Sequence, residues 1–403
     1  MEVITHHTLP LADWAEATKP SALQQALTSA ARTDVISFAL GLPAAELFPA
    51  AEFARAATRV LAEDPRALQY SPPLRSLKES VVELMALRGV TCRVEQVFLT
   101  AGAQQGMSLL ARVLLNPGGC VVTDELTYTG FRQAIEPLRP EVVTVPADTR
   151  RGMDLRALEN LLAGGLRPAF IYAMTEGHNP LGVSMSAADR LQLARLAAAY
   201  GVPVVEDDAY GFLSYDDACV PPARAFEERW VCYVGSFSKI LAPALRAGWL
   251  VVPEELVPIL SVAKEASDID TATFSHHLVN AYLATGQMPE HINRLRRAYR
   301  TRRDIMLAAL AKHFPAEACW CEPRAGVFVW VEVGRPVDTV RLLGVAVETE
   351  RVAFLPGPAF VASQSHQSHP RAGAGCMRLN FSHCPPDQIE EGIARLARAV
   401  RAF

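Results

Sequence analysis

Lysine is nearly missing from this chain: five occur in 403 residues. Long apolar runs are missing too, since none approaches the roughly eighteen residues of a membrane-spanning helix. The N-terminus, Met1-Glu2-Val3-Ile4-Thr5-His6-His7, has no basic stretch leading into an apolar one, so no export signal is expected. An excess of basic charge is absent: the net charge is −4, which argues against a nucleic-acid or membrane-surface partner. The eight cysteines are scattered without a C-x-x-C pair, and only Cys319 and Cys321 lie close together. Zinc spacing is thereby excluded, and a chain of this length is not expected to need a disulfide framework. The expectation is a soluble cytoplasmic protein with free thiols and no metal.

Half of the residues are hydrophobic, enough for two domains with large cores. Val97–Thr100, Cys120–Thr123, Ala169–Ala173, Val202–Val205 and Val231–Val234 are continuous apolar runs, as expected of strands covered on both faces. Between two of them, Ser186-Ala187-Ala188-Asp189 starts a helical repeat that Gly201 closes. This alternation predicts an α/β fold: a large domain with a mainly parallel sheet and helices on both faces, plus a smaller α+β domain. Two long helices are expected over 256–283 and 289–314, then strands at Gly326–Val331 and Met377–Phe381. The large domain is placed at 55–290, and the small one at 1–54 together with 291–403. The polar stretch Ser363–Pro370 reads as a surface loop, its two histidines included.

Lys239 stands out among the lysines. It lies in Val234-Gly235-Ser236-Phe237-Ser238-Lys239-Ile240-Leu241-Ala242-Pro243, whereas Lys19, Lys78, Lys264 and Lys312 have Glu, His or Pro close by and read as surface. In an apolar setting an amine loses part of its preference for the charged form and becomes a nucleophile toward carbonyls. Polar groups recur where apolar strands run out, the usual place for sites in open α/β sheets. Glu206-Asp207-Asp208-Ala209-Tyr210 follows one strand, and Thr175-Glu176-Gly177-His178-Asn179-Pro180-Leu181-Gly182 follows another. Thr100-Ala101-Gly102-Ala103-Gln104-Gln105-Gly106 joins a strand to a helix through small residues, whose amides suit a phosphate.

Together these stretches resemble fold type I pyridoxal-phosphate (PLP) enzymes, in particular the aminotransferases that include the 2-aminoadipate and kynurenine enzymes. The resemblance runs in order from Ile36-Ser37-Phe38-Ala39-Leu40-Gly41-Leu42-Pro43 to Arg378-Leu379-Asn380-Phe381-Ser382. It implies that Lys239 holds pyridoxal 5'-phosphate as a Schiff base and moves the substrate proton. It also implies Asp207 beside the pyridine nitrogen, in Asp-x-x-Tyr spacing to Tyr210, with Asp208 as the alternative. Tyr210 and Asn179 would meet the phenolate oxygen, and Tyr128 would stack on the ring. Gly102, Ala103, Gln104, Ser236, Ser238 and Arg246 would surround the phosphate, with Tyr70 reaching in from the other subunit of a homodimer. Arg378 would clamp the substrate α-carboxylate, helped by a backbone amide at Gly41. Each has a plainer alternative: a surface lysine or arginine, a turn Asn-Pro, a loop tyrosine.

Two departures from that pattern concern the substrate side. Ser71-Pro72-Pro73-Leu74-Arg75 is shorter than the Gly-containing turn of relatives, and Leu181 stands where threonine is usual, with His178 before Asn179. The leading expectation is transfer of an amino group between an L-amino acid and a 2-oxo acid. Elimination, decarboxylation, cyclisation or oxidation on the same scaffold is the alternative. A PLP-sensing regulator is a third reading, opposed by the charge balance and by the short stretch ahead of the fold.

Overall fold

The computed structural model describes residues 9–16, 32, 34–215, 219–362 and 372–403. Lys19, the Ser363–Pro370 loop and most of the N-terminal stretch lie outside them.

Seven strands form the central sheet: β1 (Val97–Thr100), β2 (Cys120–Asp124), β3 (Glu141–Val145), β4 (Phe170–Ala173), β5 (Val204–Asp207), β6 (Val231–Ser236) and β7 (Gly248–Val251). Their order is β1-β7-β6-β5-β4-β2-β3. Five neighbours, β6, β5, β4, β2 and β3, run parallel, while β7 is antiparallel to both β6 and β1. Because β7 alone is reversed, the C-terminal ends of the other six share one edge of the sheet. Asp124, Asp207, Ser236 and Thr100 all lie there.

Alternating side chains commit β5 to its two faces. Val205 packs into the larger apolar cluster with Tyr172, Val234 and Trp249, while Val204 joins the cluster of Ile171, Leu193 and Val231. The β5 segment sits two residues later than the apolar run suggests, because the pairing with β4 and β6 extends through Glu206 and Asp207. Both carboxylates are almost fully buried, Glu206 at 0% exposure and Asp207 at 2%. Burial of this kind requires partners, and it conceals a strand from a reading based on hydropathy.

The helix Ala187–Tyr200 forms as its caps dictate. Ser186 Oγ accepts from the Asp189 amide at 3.1 Å, and Gly201 ends the helix at φ 63°. The expected single helix over 256–283 is instead two, Val257–Asp268 and Thr273–Leu283. Ile269 takes φ 56° at the break, and side chains hold the ends apart. Asp268 accepts from Gln105 and Lys264, and Asp270 accepts from the Ser71 amide at 3.0 Å. Lys264 is thus a tethered group with 13% side-chain exposure, not the surface lysine expected. Met288–His313 is one continuous helix.

A second, antiparallel sheet takes in β8 (Cys319–Trp320), β9 (Phe328–Glu332), β10 (Leu355–Pro356) and β11 (Cys376–Asn380), in the order β8-β9-β11-β10. Ile36–Ser37 pairs in parallel with Val352–Ala353, and the Asn380 amide donates to Phe38 O at 2.8 Å. These bonds bring Ala39 and Gly41, from the N-terminal part, against the C-terminal sheet. No described helix is long and apolar enough to cross a membrane.

Candidate active site

Lys239 follows β6 by three residues. Its amine donates to Gly41 O at 2.7 Å, and its side chain is only partly exposed. Burial, then the Arg378 and Arg246 cations, lower its pKa to about 8. Among the described residues, no carboxylate is paired with it. Gly41 therefore presents its carbonyl to the lysine, and a side chain there would collide with the Phe328 ring.

Arg378 comes from the middle of β11 and is 4% exposed. Its Nη1 donates to Asn179 Oδ1 and its Nη2 to Ala39 O, both at 2.6 Å. The Cζ atom lies 4.0 Å from the Phe328 ring centroid and 4.9 Å from that of Phe360. Nε is buried without a partner, and burial lowers the pKa to about 10. A guanidinium so placed lacks a carboxylate of its own among the described residues and keeps free N–H groups in its plane.

Asp207 ends β5. Its Oδ2 accepts from Tyr172 Oη at 2.7 Å, while Oδ1 is buried with no partner. Burial pushes its pKa up to about 6, against the bond from Tyr172. Tyr172 lies on the neighbouring β4, in register with Val205, which explains how it reaches across. Asp208 points elsewhere: its Oδ2 takes Arg88 Nη2 at 2.9 Å and Tyr233 Oη at 3.0 Å. The structure thereby separates the two carboxylates that spacing leaves ambiguous.

The Asn179 turn is anchored from below. His178 Nδ1 accepts from the Leu181 amide at 3.4 Å, which leaves Nε2 to donate to Asp124 Oδ2 at 3.0 Å. Leu181 is fully buried, in one apolar cluster with Leu40, Leu126, Trp330 and Phe360. Its side chain therefore belongs to a core and does not face an open pocket. Tyr210 is buried and meets Phe328 edge-on, with ring centroids 5.8 Å apart. Tyr128 lies over Gly130, where any Cβ would strike its ring. Burial raises the pKa of both tyrosines, so both keep their protons.

At the same edge, Gly102 adopts φ 87° just before the helix Ala103–Leu114. Gly248 has no side chain to bar this loop, since a Cβ there would lie 2.8 Å from the Gly102 Cα. Arg246 also packs on Gly102 and donates from Nη2 to Ala101 O at 2.9 Å. Gln104 is anchored through its side chain to Gly130 O at 2.6 Å, and Ser236 Oγ accepts from the Ser238 amide at 3.1 Å. The start of the Ala103 helix, Arg246 and Ser236 thus meet at one edge of the sheet, a combination suited to a phosphate.

Hydrogen bonds and mutual charge interactions thus gather Lys239, Gly41, Asn179, Arg378, Asp207, Tyr128, Tyr210 and Arg246, with Gly102 against Arg246 and Ala103, Gln104, Ser236 and Ser238 next to them along the chain or sheet. Tyr70 stands apart, 76% exposed. Tyr172, Phe328, Phe360 and Asp124, which accepts from His178, join the site without having been singled out for it. A separate cleft of about 1080 Å³, lined by Glu176, Ser184, Arg190, Trp320 and Arg324 among others, holds none of these site residues.

Residues 33–396 match the family model "Aminotransferase class I and II". The aromatic-amino-acid aminotransferase 1 of Thermococcus litoralis is 35% identical, over 95% of this chain and 92% of its own length. The 2-aminoadipate transaminase of Thermus thermophilus is 36% identical over 95% and 94%. Among solved structures, the α-aminoadipate aminotransferase of Thermus thermophilus, complexed with N-(5'-phosphopyridoxyl)-L-leucine, superposes with a TM-score of 0.88 at 35% identity and covers 97% of both chains. With the half-buried lysine, the free carboxylate oxygen and the unpaired arginine around one space, the chain belongs to the class I and II aminotransferases and is a PLP-dependent enzyme of the type I fold.

Proposed function

We propose that the enzyme moves the amino group of an L-amino acid to a 2-oxo acid, with Lys239 as the residue that holds the cofactor and carries the proton. The observation that carries this reading is the pair formed by Lys239 and Arg378: an amine with lowered pKa and a buried guanidinium with no counter-ion among the described residues, both reaching the Ala39–Gly41 segment. Arg378 receives the α-carboxylate of the substrate in the plane of its fork. The substrate amine is thereby directed toward Lys239, whose neutral form takes and returns the Cα proton.

PLP supplies an electron sink for the bond that breaks at Cα. The residues present fit it. The unpartnered Asp207 Oδ1 suits a protonated pyridine nitrogen, and the bond from Tyr172 keeps the other oxygen in place. Asn179 and Tyr210 have side-chain donors for the phenolate oxygen, and Tyr128 offers a ring face. Gly102, Ala103, Gln104, Ser236, Ser238 and Arg246 would take the phosphate.

The same reading assigns Tyr70 to the site of a second subunit. Its support is the exposure of Leu68, Tyr70, Val262 and Ile269, each at least 67%, with Ser71 bonded to Asp270 beside Ile269. We adopt the division into a large part, 55–290, and a small part, 1–54 with 291–403, and place the enzyme in the cytoplasm. Sedimentation of the loaded enzyme, with Tyr70→Phe tested for phosphate affinity, checks the dimer.

The central test is a panel of amino donors mixed with the PLP-loaded enzyme. Aromatic amino acids and 2-aminoadipate, the substrates named for the relatives, are the first to try. Conversion of the cofactor to its pyridoxamine form, read by absorbance, is the expected outcome. Ammonia or carbon dioxide without pyridoxamine would refute transamination.

A further inference from the structure

The guanidinium of Arg378 is flanked by two aromatic rings as well as held by hydrogen bonds. Phe328 and Phe360 are 1% and 0% exposed, so neither ring is there to cover a surface. Their centroids approach Cζ to 4.0 and 4.9 Å, contacts that stabilise a cation most where water is excluded. The rings come from different elements: Phe328 from β9, and Phe360 from the Gly357–Phe360 turn after β10. Phe360 is fixed in turn by Trp330, edge-on at 6.0 Å, and its carbonyl accepts from the Thr127 amide at 2.9 Å.

Two of the five N–H groups of Arg378 are used, by Asn179 Oδ1 and Ala39 O. The rest lie in the guanidinium plane, Nε among them. Two rings this close to Cζ favour an anion that approaches along the edge, where the unused N–H groups are. A planar carboxylate matches that approach with two parallel hydrogen bonds. A tetrahedral anion places oxygens above and below the plane as well.

We propose that Phe328 and Phe360 form an aromatic clamp that makes Arg378 selective for planar carboxylates over tetrahedral anions, Phe360 acting as a positioning residue with no part in the chemistry. The clamp also stands where a protein carboxylate would otherwise neutralise the arginine and compete with substrate. This inference rests on the reading of Arg378 as the carboxylate receptor.

Calorimetry on the PLP-loaded enzyme with two unreactive probes, 3-phenylpropanoate and 2-phenylethylphosphonate, tests it. Wild type should bind the carboxylate more tightly despite the larger charge of the phosphonate. Phe360→Leu should weaken the carboxylate by about tenfold, on the scale of a desolvated cation–ring contact, and change the phosphonate by less than about twofold. Phe360→Met carries the same expectation if the leucine variant does not fold. An unchanged ratio between the probes in a folded variant would overturn the clamp alone, provided that Arg378→Gln still loses carboxylate binding. Undiminished carboxylate binding in Arg378→Gln would overturn the assignment of Arg378, and the clamp with it.

Discussion

Two sets of buried charges occupy this molecule, and they are built differently. In the scaffold, the buried arginines Arg190 and Arg88 each face a carboxylate. Arg190 is fully buried, gives Nη2 to Glu176 at 2.7 Å, and directs its other nitrogens at the carbonyls of Met185 and Val220. Arg88, 2% exposed, holds Asp208. Around the active site the charges are left incomplete. Among the described residues, Lys239 has only a carbonyl, Asp207 has an oxygen without a donor, and Arg378 has no carboxylate. Leaving a buried charge unpaired costs free energy, and a fold tolerates that cost where a ligand completes the set. Asp207 and Asp208 show the contrast between neighbours in sequence: a half-turned backbone sends one carboxylate into the site and the other to a structural arginine.

The comparison is broken most directly at the unpaired charges. Lys239→Ala should abolish the cofactor's imine absorbance and lower kcat/KM by more than about 10³-fold, the scale of a lost proton-transfer group. Thermal stability of the cofactor-free protein should not fall, since the variant removes a buried charge. Turnover close to wild type would end the proposed role. Next in size are the paired carboxylates. Asp208→Asn should destabilise the protein by about 3–5 kcal/mol in denaturant titrations, because Arg88 is left buried without its partner. The cofactor absorbance should survive. Asp207→Asn should do the reverse, with stability held and kcat reduced by about 10²-fold as the ring nitrogen loses its carboxylate. Equal losses of stability in the two variants would erase the distinction between site and scaffold.

Much of this arrangement was legible in the sequence because it depends on residue types at strand ends. Asn179, Asp207 and Lys239 follow apolar runs that have to be buried strands, and parallel strands deliver their ends to one edge. Serine and glycine at the limits of the Ala187–Tyr200 helix were equally readable. What escaped depends on register and approach between distant segments. Tyr172 reaches Asp207 only through the pairing of β4 with β5, and its place inside an apolar run gives no hint of that. Phe328 and Phe360 look like core residues in the sequence, and they are; their contact with Arg378 follows from the packing of β9 and the turn after β10 against β11. The break at Ile269 has no glycine or proline to announce it, because the side chains of Asp268 and Asp270 impose it.

The mildest test sharpens the comparison by using pH. In the cofactor-free protein, burial and the cations of Arg378 and Arg246 bring Lys239 to about 8, below its ordinary value. Only the neutral amine attacks an aldehyde, so the rate of PLP loading should rise with pH and level off above about 8. From pH 7 to 8 the neutral fraction grows several-fold, and stopped-flow absorbance at fixed PLP would follow it. The sign for stability is the same. The folded state gives up its proton at a lower pH than the unfolded chain does, so the cost of burying the charged lysine is fully present at neutral pH. That cost is relieved as pH rises from about 8 toward the ordinary lysine range. A loading rate that keeps climbing about tenfold per pH unit through pH 9 without levelling off would mean that Lys239 is as well solvated as a surface lysine, and the set of incomplete charges would lose its central member.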